Sequence, residues 1–166
     1  MKVIIVYCSK TGNTDKVATH IQQGLGGSAD MVKLDLTPKG VLKEFSSTFT
    51  FDLSSYDLVF LGGWTMVMRV HPYLAAYIRG CKSLEGKQVA GFLTGGAIFS
   101  RAHVRDDFSE LMNKRGATII DFHYTTTLLG LTLTKKKLLK AESFARDVLK
   151  RFTGVCREST VPPRAG

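Results

Sequence analysis

The sequence is poor in cysteine, proline and tryptophan: its 166 residues include three cysteines, four prolines and one tryptophan. Because Cys8, Cys81 and Cys156 are far apart and form no CxxC pair, a disulfide framework and a zinc site are both disfavoured. With 44% hydrophobic residues, the chain is too apolar to be disordered. Its longest apolar runs, such as residues 3–6 and 58–61, are far shorter than the ~20 residues that a membrane span needs. We therefore expect a soluble, cytoplasmic protein.

Acidic residues are also scarce, since 14 Asp and Glu stand against 23 Lys and Arg, for a net charge of +9. An excess of basic residues indicates negatively charged partners, such as acidic proteins, anionic ligands or nucleic acid. It carries no information about the fold. Much of the excess lies in residues 135–151, which form either a solvated helix face or a docking surface. Nucleic acid is the weakest of these partners, because neither an aromatic sheet face nor a recognition helix is evident.

Short apolar runs alternate with amphipathic segments along the chain, and this alternation predicts a parallel sheet covered by helices on both faces. The predicted architecture is a three-layer α/β/α domain with five parallel strands, and it occupies residues 1–157, followed by a disordered tail at 158–166. The predicted strands are 3–7, 31–36, 58–61, 88–93 and 117–122, with one helical turn at 41–45. The predicted helices are 15–25, 72–78, 104–114 and 135–152.

Three strand ends have unusual sequences, and ligands of open parallel sheets bind outside the carboxyl ends of the strands. In the strand order 2-1-3-4-5, strands 1, 3 and 4 are neighbours, so the turns that follow them would converge on one cleft. The first turn contains Ser9, Lys10, Thr11, Gly12, Asn13 and Thr14; the second Gly62, Gly63, Trp64, Thr65 and Met66; the third Thr94, Gly95, Gly96, Ala97, Ile98 and Phe99.

The first turn has the chemistry of a phosphate site. Ser9, Thr11 and Thr14 offer hydroxyl groups, Gly12 lets the backbone come close, and the turn opens a helix whose free N–H groups attract an anion. The Walker pattern GxxxxGK[ST] is absent. An ordinary N-capped turn is the alternative interpretation, although it accounts for only one or two of these side chains.

Residues 9–14 resemble the [ST]-x-T-G-x-T phosphate loop of the flavodoxin family at every fixed position, and residues 56–62 and 87–96 resemble that family's third and fourth strands. The resemblance implies a flavodoxin-like fold with strand order 2-1-3-4-5 that binds FMN without a covalent bond. It also implies that the FMN phosphate is held by the loop amides and by the side chains of Ser9, Thr11, Asn13 and Thr14.

The same resemblance implies that the flavin ring lies between the second and third turns. Trp64 is a candidate to stack on the ring, and a half-buried packing tryptophan is an equally good interpretation. Met66 stands where small flavodoxin-like proteins often have an aromatic residue, and Phe99 lies in a short third turn. In flavodoxins a peptide of the second turn can rotate beside the flavin, and Gly62 and Gly63 would permit this motion.

The resemblance implies an electron carrier that shuttles electrons between a reductase and an acceptor, with redox proteins as its partners. A small FMN-dependent oxidoreductase that acts on a quinone, a tetrapyrrole or another organic acceptor is the alternative. No paired carboxylates, metal-ligand cluster or Ser/His/Asp set stands out near the cleft, so we predict no catalytic side chain and no metal. His71, before Pro72, is most simply a turn residue.

Overall fold

Strands of β-branched and aromatic residues alternate with amphipathic helices in the computed structural model, which describes residues 1–34, 51–96, 101–127 and 133–158. In chain order the elements are β1 Val3–Tyr7, α1 Asn13–Gly24, β2 Asp30–Lys33, β3 Leu58–Met66, β4 Arg69–Val70, α2 Pro72–Gly80, a 3₁₀ helix at Lys82–Leu84, β5 Gln88–Gly95, α3 Arg101–Asn113, β6 Thr118–Thr126 and α4 Lys135–Glu158.

The sheet has the order β2-β1-β3-β5-β6, and all four of these pairings are parallel. In the register, Ile5 of β1 pairs with Met31 on one side and with Phe60 on the other. The predicted order of five parallel strands is therefore confirmed. The short strand β4 was not predicted, and it pairs antiparallel with the end of β3.

A separate hydrophobic core lies on each face of the sheet. On one face Ile4 and Val6 pack with residues of α2 and α3, including Leu74 and Phe108. On the opposite face Val3, Ile5 and Tyr7 pack with Val17 and Ile21 of α1 and with Phe144 and Val148 of α4. All five residues of β1 are buried because a central parallel strand has helices on both sides. This arrangement is the predicted three-layer architecture.

Three strands extend beyond their predicted ends. The prediction that the third strand ends at Gly62 and Gly63 is wrong, because β3 continues through Trp64 to Met66. Its register with β5 runs unbroken from Leu58 to Trp64, so both glycines lie within a paired strand. The residues after the glycines are aromatic and β-branched types that suit an extended backbone. Strands β5 and β6 likewise extend to Gly95 and Thr126.

Several predictions fall outside the described residues: the end of the second strand at 35–36, the helical turn at 41–45, the third turn at 97–99 and the tail from 159 onward. Helix α1 begins at Asn13, two residues earlier than predicted, and α4 continues to Glu158. Among the described residues, no helix has the length and apolar character required to cross a membrane.

Candidate functional site

The first predicted turn leaves the carboxyl end of β1 and enters α1. Gly12 is the N-cap of α1 and has φ +82°, a left-handed conformation in which glycine is favoured over other residues. Because glycine has no side chain, it makes no side-chain cap on the first turn of the helix. Asn13 and Thr14 are buried in that turn, whereas Lys10 and Thr11 are exposed.

The hydroxyl of Ser9 is a buried polar group at the start of the first turn. Ser9 is only 7% exposed, and its Oγ finds no hydrogen-bond partner among the described residues. The Asp15 carboxylate is near enough to interact with this hydroxyl, although the two do not meet in hydrogen-bond geometry. Leaving such a group unpaired is unfavourable, so the position suits a ligand that accepts the hydroxyl hydrogen.

Two buried threonines join the first turn to β5. Thr14 Oγ1 lies 2.9 Å from Thr94 Oγ1, and the Thr94 hydroxyl also donates to the carbonyl oxygen of Gly63 at 3.4 Å. The first turn, β3 and β5 therefore meet at one edge of the sheet, as the strand order predicts. Within this cluster the Thr14 hydroxyl already has one protein partner.

The negative charge nearest this turn is balanced by a lysine. Lys33 Nζ of β2 lies 2.8 Å from Asp15 Oδ1 in the first turn of α1. Burial alone would raise the pKa of Asp15, but the ion pair with Lys33 and the nearby hydroxyls of Ser9 and Tyr7 together outweigh burial and hold the pKa below its usual value. Burial, followed by the charge of Asp15, raises the pKa of Tyr7 to about 12. The ion pair lets an anion approach the helix with little repulsion from Asp15.

The second predicted turn is a β-hairpin, and its glycines serve packing. Thr65 and Met66 pair antiparallel with β4 through the two-residue turn Val67-Met68. A Cβ atom at Gly62 would overlap the tip of the Phe92 ring, and one at Gly63 would lie 3.2 Å from Cys8 Sγ. Both glycines are paired with β5, so the sheet limits the backbone freedom that glycine would permit at these two positions.

Trp64 is half-buried and packs in a cluster of rings. Its ring centroid lies 4.1 Å from that of His71 and 6.1 Å from that of Tyr73, and the rings of His71 and Tyr73 stack at 5.0 Å. The backbone brings this cluster together, because His71 donates its N–H to the Trp64 carbonyl oxygen at 3.1 Å. Trp64 thus has a packing role in the protein itself, and part of its surface remains exposed.

His71 is the N-cap of α2, so its interpretation as a turn residue is correct. Its Nδ1 accepts a hydrogen bond from the backbone N–H of Tyr73 at 3.3 Å, which requires that nitrogen to be unprotonated. Burial, followed by the charge of Lys10, lowers the pKa of His71 to about 4. Lys10, in the first turn, is therefore near enough to His71 for its charge to act on this ring.

A second histidine, His123, lies in β6. Its ring stacks on Phe144 at 5.1 Å, and its Nε2 lies 2.9 Å from Thr125 Oγ1. Burial, followed by the charge of Arg101, lowers its pKa to about 4. His71 and His123 are therefore both uncharged in the folded protein at neutral pH.

These two histidines predict that acid destabilises the fold. An unfolded histidine has a pKa near 6.5, so between pH 6.5 and 4 the unfolded chain binds protons that the folded chain does not. The free energy of unfolding should therefore fall as the pH drops from 6.5 to 4. Below pH 4 both states bind these protons, so the two histidines should cause no further loss of stability. We expect a flatter dependence for the double variant His71→Asn/His123→Gln, measured by urea unfolding at several pH values. Parallel curves for the two proteins would contradict this expectation.

Gly95, the second residue of the third predicted turn and the last residue of β5, lies between two polar side chains. A Cβ atom at Gly95 would overlap Thr65 Oγ1 and the Tyr124 hydroxyl, so the position requires glycine. The Gly95 carbonyl oxygen accepts a hydrogen bond from the N–H of Thr127 at 2.7 Å, which ties the turn to the end of β6. Gly96 is the last described residue before the gap, and Phe99 lies outside the described residues.

Sequence reasoning missed the hairpin and the aromatic cluster behind it. Val67 and Met68 have φ values of +47° and +63°, and a turn of this kind usually carries Asn-Gly or Asp-Gly. Neither pair occurs there, so the sequence offers no turn signal. The contact between Trp64 and His71 depends on this turn and could not be read from the spacing alone.

The fold is an open parallel sheet in which the first turn, β3 and β5 meet at the carboxyl ends of the strands, the position at which such sheets bind ligands. The family model described as a flavodoxin domain matches residues 4–125, and the chain belongs to that family. Membership implies that FMN is the cofactor and that the chain is a flavodoxin-like electron-transfer protein. No curated protein matches the chain.

Solved structures share the fold at low sequence identity. A flavodoxin from the domain Archaea is 18% identical, with a TM-score of 0.60, and the match covers 92% of this chain and 99% of that one. The two-electron reduced Megasphaera elsdenii flavodoxin is 20% identical, with a TM-score of 0.65 and coverage of 89% and 98%. Rubredoxin oxygen:oxidoreductase from Desulfovibrio gigas is 16% identical, with a TM-score of 0.68 and coverage of 92% of this chain and 36% of that one.

Proposed function

We propose that this protein is a cytoplasmic FMN-dependent electron carrier that shuttles electrons between a reductase and an acceptor protein. The observation that carries the proposal is the buried Ser9 hydroxyl, which has no partner in hydrogen-bond geometry among the described residues and lies in the same turn as left-handed Gly12, at the start of α1. A phosphate group can accept a hydrogen bond from the Ser9 hydroxyl. It can also approach the backbone closely at Gly12, and its negative charge is favourable at a helix N-terminus. The buried free thiols of Cys8 and Cys81 agree with a reducing compartment.

The first turn supplies the groups that would hold the phosphate. Ser9 and Thr11 offer hydroxyl groups, Lys10 adds a positive charge, and Gly12 allows the backbone amides to face the anion. Asn13 and Thr14 complete the set from within the first turn of α1. Since Thr14 also bonds to Thr94, it would link the phosphate end of the cofactor to β5.

The ends of β3 and β5 would hold the ring, which supplies the electron-accepting and electron-donating chemistry when FMN is bound. Trp64 and Met66 are both accessible, and Met66 is 48% exposed. His71 and Tyr73 pack against Trp64 and limit its rotation, so the indole is pre-positioned for stacking. Further ring contacts would come from Thr65, Thr94, Gly95, Gly96 and Phe99.

The charge of the chain supports an acidic partner. A net charge of +9 speeds the encounter with a negatively charged protein and slows the encounter with a positive one. We therefore infer that the reductase and the acceptor present acidic docking faces. Steady NAD(P)H consumption by the purified protein with a quinone would instead indicate the oxidoreductase alternative.

Fluorescence of the single tryptophan tests the FMN site directly. Titration of the apoprotein with FMN should quench Trp64 emission by more than half, with an endpoint of one FMN per chain, because a bound flavin accepts energy from a neighbouring indole. Riboflavin lacks the phosphate, so it should bind about 100-fold more weakly, as expected when two charge-assisted hydrogen bonds are lost.

The matched control is Trp64→Phe, which should remove the emission signal and retain most of the FMN affinity measured by flavin fluorescence. Equal affinities for FMN and riboflavin would show that the first turn does not hold a phosphate. No binding of either flavin would overturn the proposed function.

A further inference from the structure

The first turns of α4 carry a group of cations around an exposed apolar residue. Lys135, Lys136 and Lys140 are exposed, and none of them forms an ion pair with a carboxylate in the described part of the chain. Leu139, among them, is 47% exposed. We call these four residues the α4 lysine patch.

Three other cations of the same helix are each paired with a carboxylate. Arg146 lies 3.7 Å from Glu142, Lys150 lies 3.9 Å from Asp147, and Arg151 lies 2.9 Å from Asp121 of β6. By contrast, the sequence contains no Asp or Glu between Asp121 and Glu142. The positive charge of the α4 lysine patch is therefore not balanced by its neighbours along the chain.

The position of these lysines is unfavourable for the helix itself. The N-terminus of a helix carries partial positive charge, so acidic residues stabilise the first turn and lysines destabilise it. Helix α4 has no acidic residue in its first turn. Leu139 adds exposed apolar surface in the middle of the charges. Because neither the lysines nor the exposed Leu139 stabilise the helix, these residues point to a role in binding.

The α4 lysine patch lies at the edge of the sheet that holds the candidate FMN site. Lys137 Nζ donates to the Thr126 carbonyl oxygen at 2.6 Å, and the next residue, Thr127, donates its N–H to the carbonyl oxygen of Gly95. Gly95 belongs to the third predicted turn, so the start of α4 is only a few residues from the proposed ring site.

We propose that the α4 lysine patch docks the acidic face of the electron-transfer partner, with the three ammonium groups on its carboxylates and Leu139 on an apolar residue between them. The inference rests on the proposed function and extends it by assigning the docking surface. A cationic rim around an apolar centre fits a protein face better than a nucleic-acid backbone, which offers no apolar contact at this position.

The test compares two triple variants that carry the same net charge. Lys135→Glu/Lys136→Glu/Lys140→Glu reverses the patch and should fold, because glutamate is favourable in the first turn of a helix. The control is Lys2→Glu/Lys82→Glu/Lys150→Glu: Lys2 precedes β1, Lys82 follows α2, and Lys150 lies about 22 Å along α4 from Lys135. Each substitution lowers the net charge by two, so a change in global charge affects both variants equally.

The probe is a reduced plant-type [2Fe–2S] ferredoxin, a small acidic electron donor, mixed with the FMN-loaded protein in a stopped-flow instrument. One electron leaves the iron–sulfur cluster and one electron reaches the protein-bound FMN. At low salt the second-order rate constant should fall at least tenfold for the patch variant and less than twofold for the control. The difference should vanish at about 0.5 M salt, where exposed charges are screened.

Equal rate losses in both variants would show that only net charge matters and would overturn the docking surface. Unchanged rates in both variants would also overturn the docking surface. So would a patch variant that transfers electrons normally but no longer binds a single-stranded DNA oligonucleotide. If the chain binds no FMN, the proposed function fails. The surface is then judged by calorimetric binding of oxidised ferredoxin, which the patch variant should weaken and the control should not.

Discussion

Replacement of Gly12 by valine should lower the affinity for FMN at least 100-fold, a loss of about 2.7 kcal/mol. The reason is the backbone, since Gly12 has φ +82° and a β-branched residue rarely adopts this conformation. Space is not the reason: a Cβ atom at Gly12 would come only within 3.9 Å of Asp15 Oδ2. To relieve the strain, the first turn must rearrange, and the amides and hydroxyls that face the phosphate move with it.

Gly26→Val is the matched control for this prediction. Gly26 follows α1, has φ +72°, and a Cβ atom there would have no other atom within 4 Å. Both variants therefore have a similar backbone cost, about 1–2 kcal/mol for a residue in the left-handed region. Only Gly12→Val should lose FMN, as measured by flavin fluorescence at a temperature where both variants are folded. Similar affinities in the two variants would exclude the first turn as the phosphate site.

Replacement of Gly62 by alanine should destabilise the protein by about 3 kcal/mol, the upper end of the usual cost of overpacking a core. A Cβ atom at Gly62 would overlap the tip of the ring of Phe92, which is fully buried and is the register partner of Gly62 in β5. Because both residues lie in paired strands, neither backbone can withdraw without loss of sheet hydrogen bonds. The loss of stability is measured by urea unfolding.

Two further variants separate overpacking from a general effect of removing glycine. Gly80→Ala lies at the end of α2, where a Cβ atom meets nothing within 4 Å, and it should be neutral or stabilising by up to about 1 kcal/mol. Phe92→Leu makes room at Gly62, so Gly62→Ala should cost less in the Phe92→Leu background than in the wild type. An equal cost in both backgrounds would contradict the proposed contact.

The Gly62 result also bears on the flavin site. Glycine after a strand predicts a flexible turn in the sequence, whereas in the structure Gly62 and Gly63 are paired with Phe92 and Leu93 of β5. The first irregular backbone after them is the turn at Val67 and Met68. The ring site would therefore be bordered by the rigid strand β3, and the part of it free to move would be the exposed hairpin tip at Val67 and Met68.

Local chemistry made the fold predictable and marked the first turn as the candidate phosphate site. The apolar run at 3–7 is buried on both faces, as a central parallel strand must be, and the amphipathic segments lie on the sheet as predicted. The hydroxyl-rich turn of residues 9–14 could be recognised because all its members are neighbours in sequence. The hairpin could not, because its left-handed turn is formed by Val67 and Met68 and not by glycine or asparagine.

By itself, the sequence determined the layers, the strand order and the turn that suits a phosphate, because periodicity and short motifs depend on residues that are close along the chain. Only the tertiary structure decided that Trp64 packs on His71, that Thr14 meets Thr94, and that Lys137 at the start of α4 bonds to Thr126 of β6. These contacts join residues from different strands and helices, and their geometry follows from how the whole sheet is assembled.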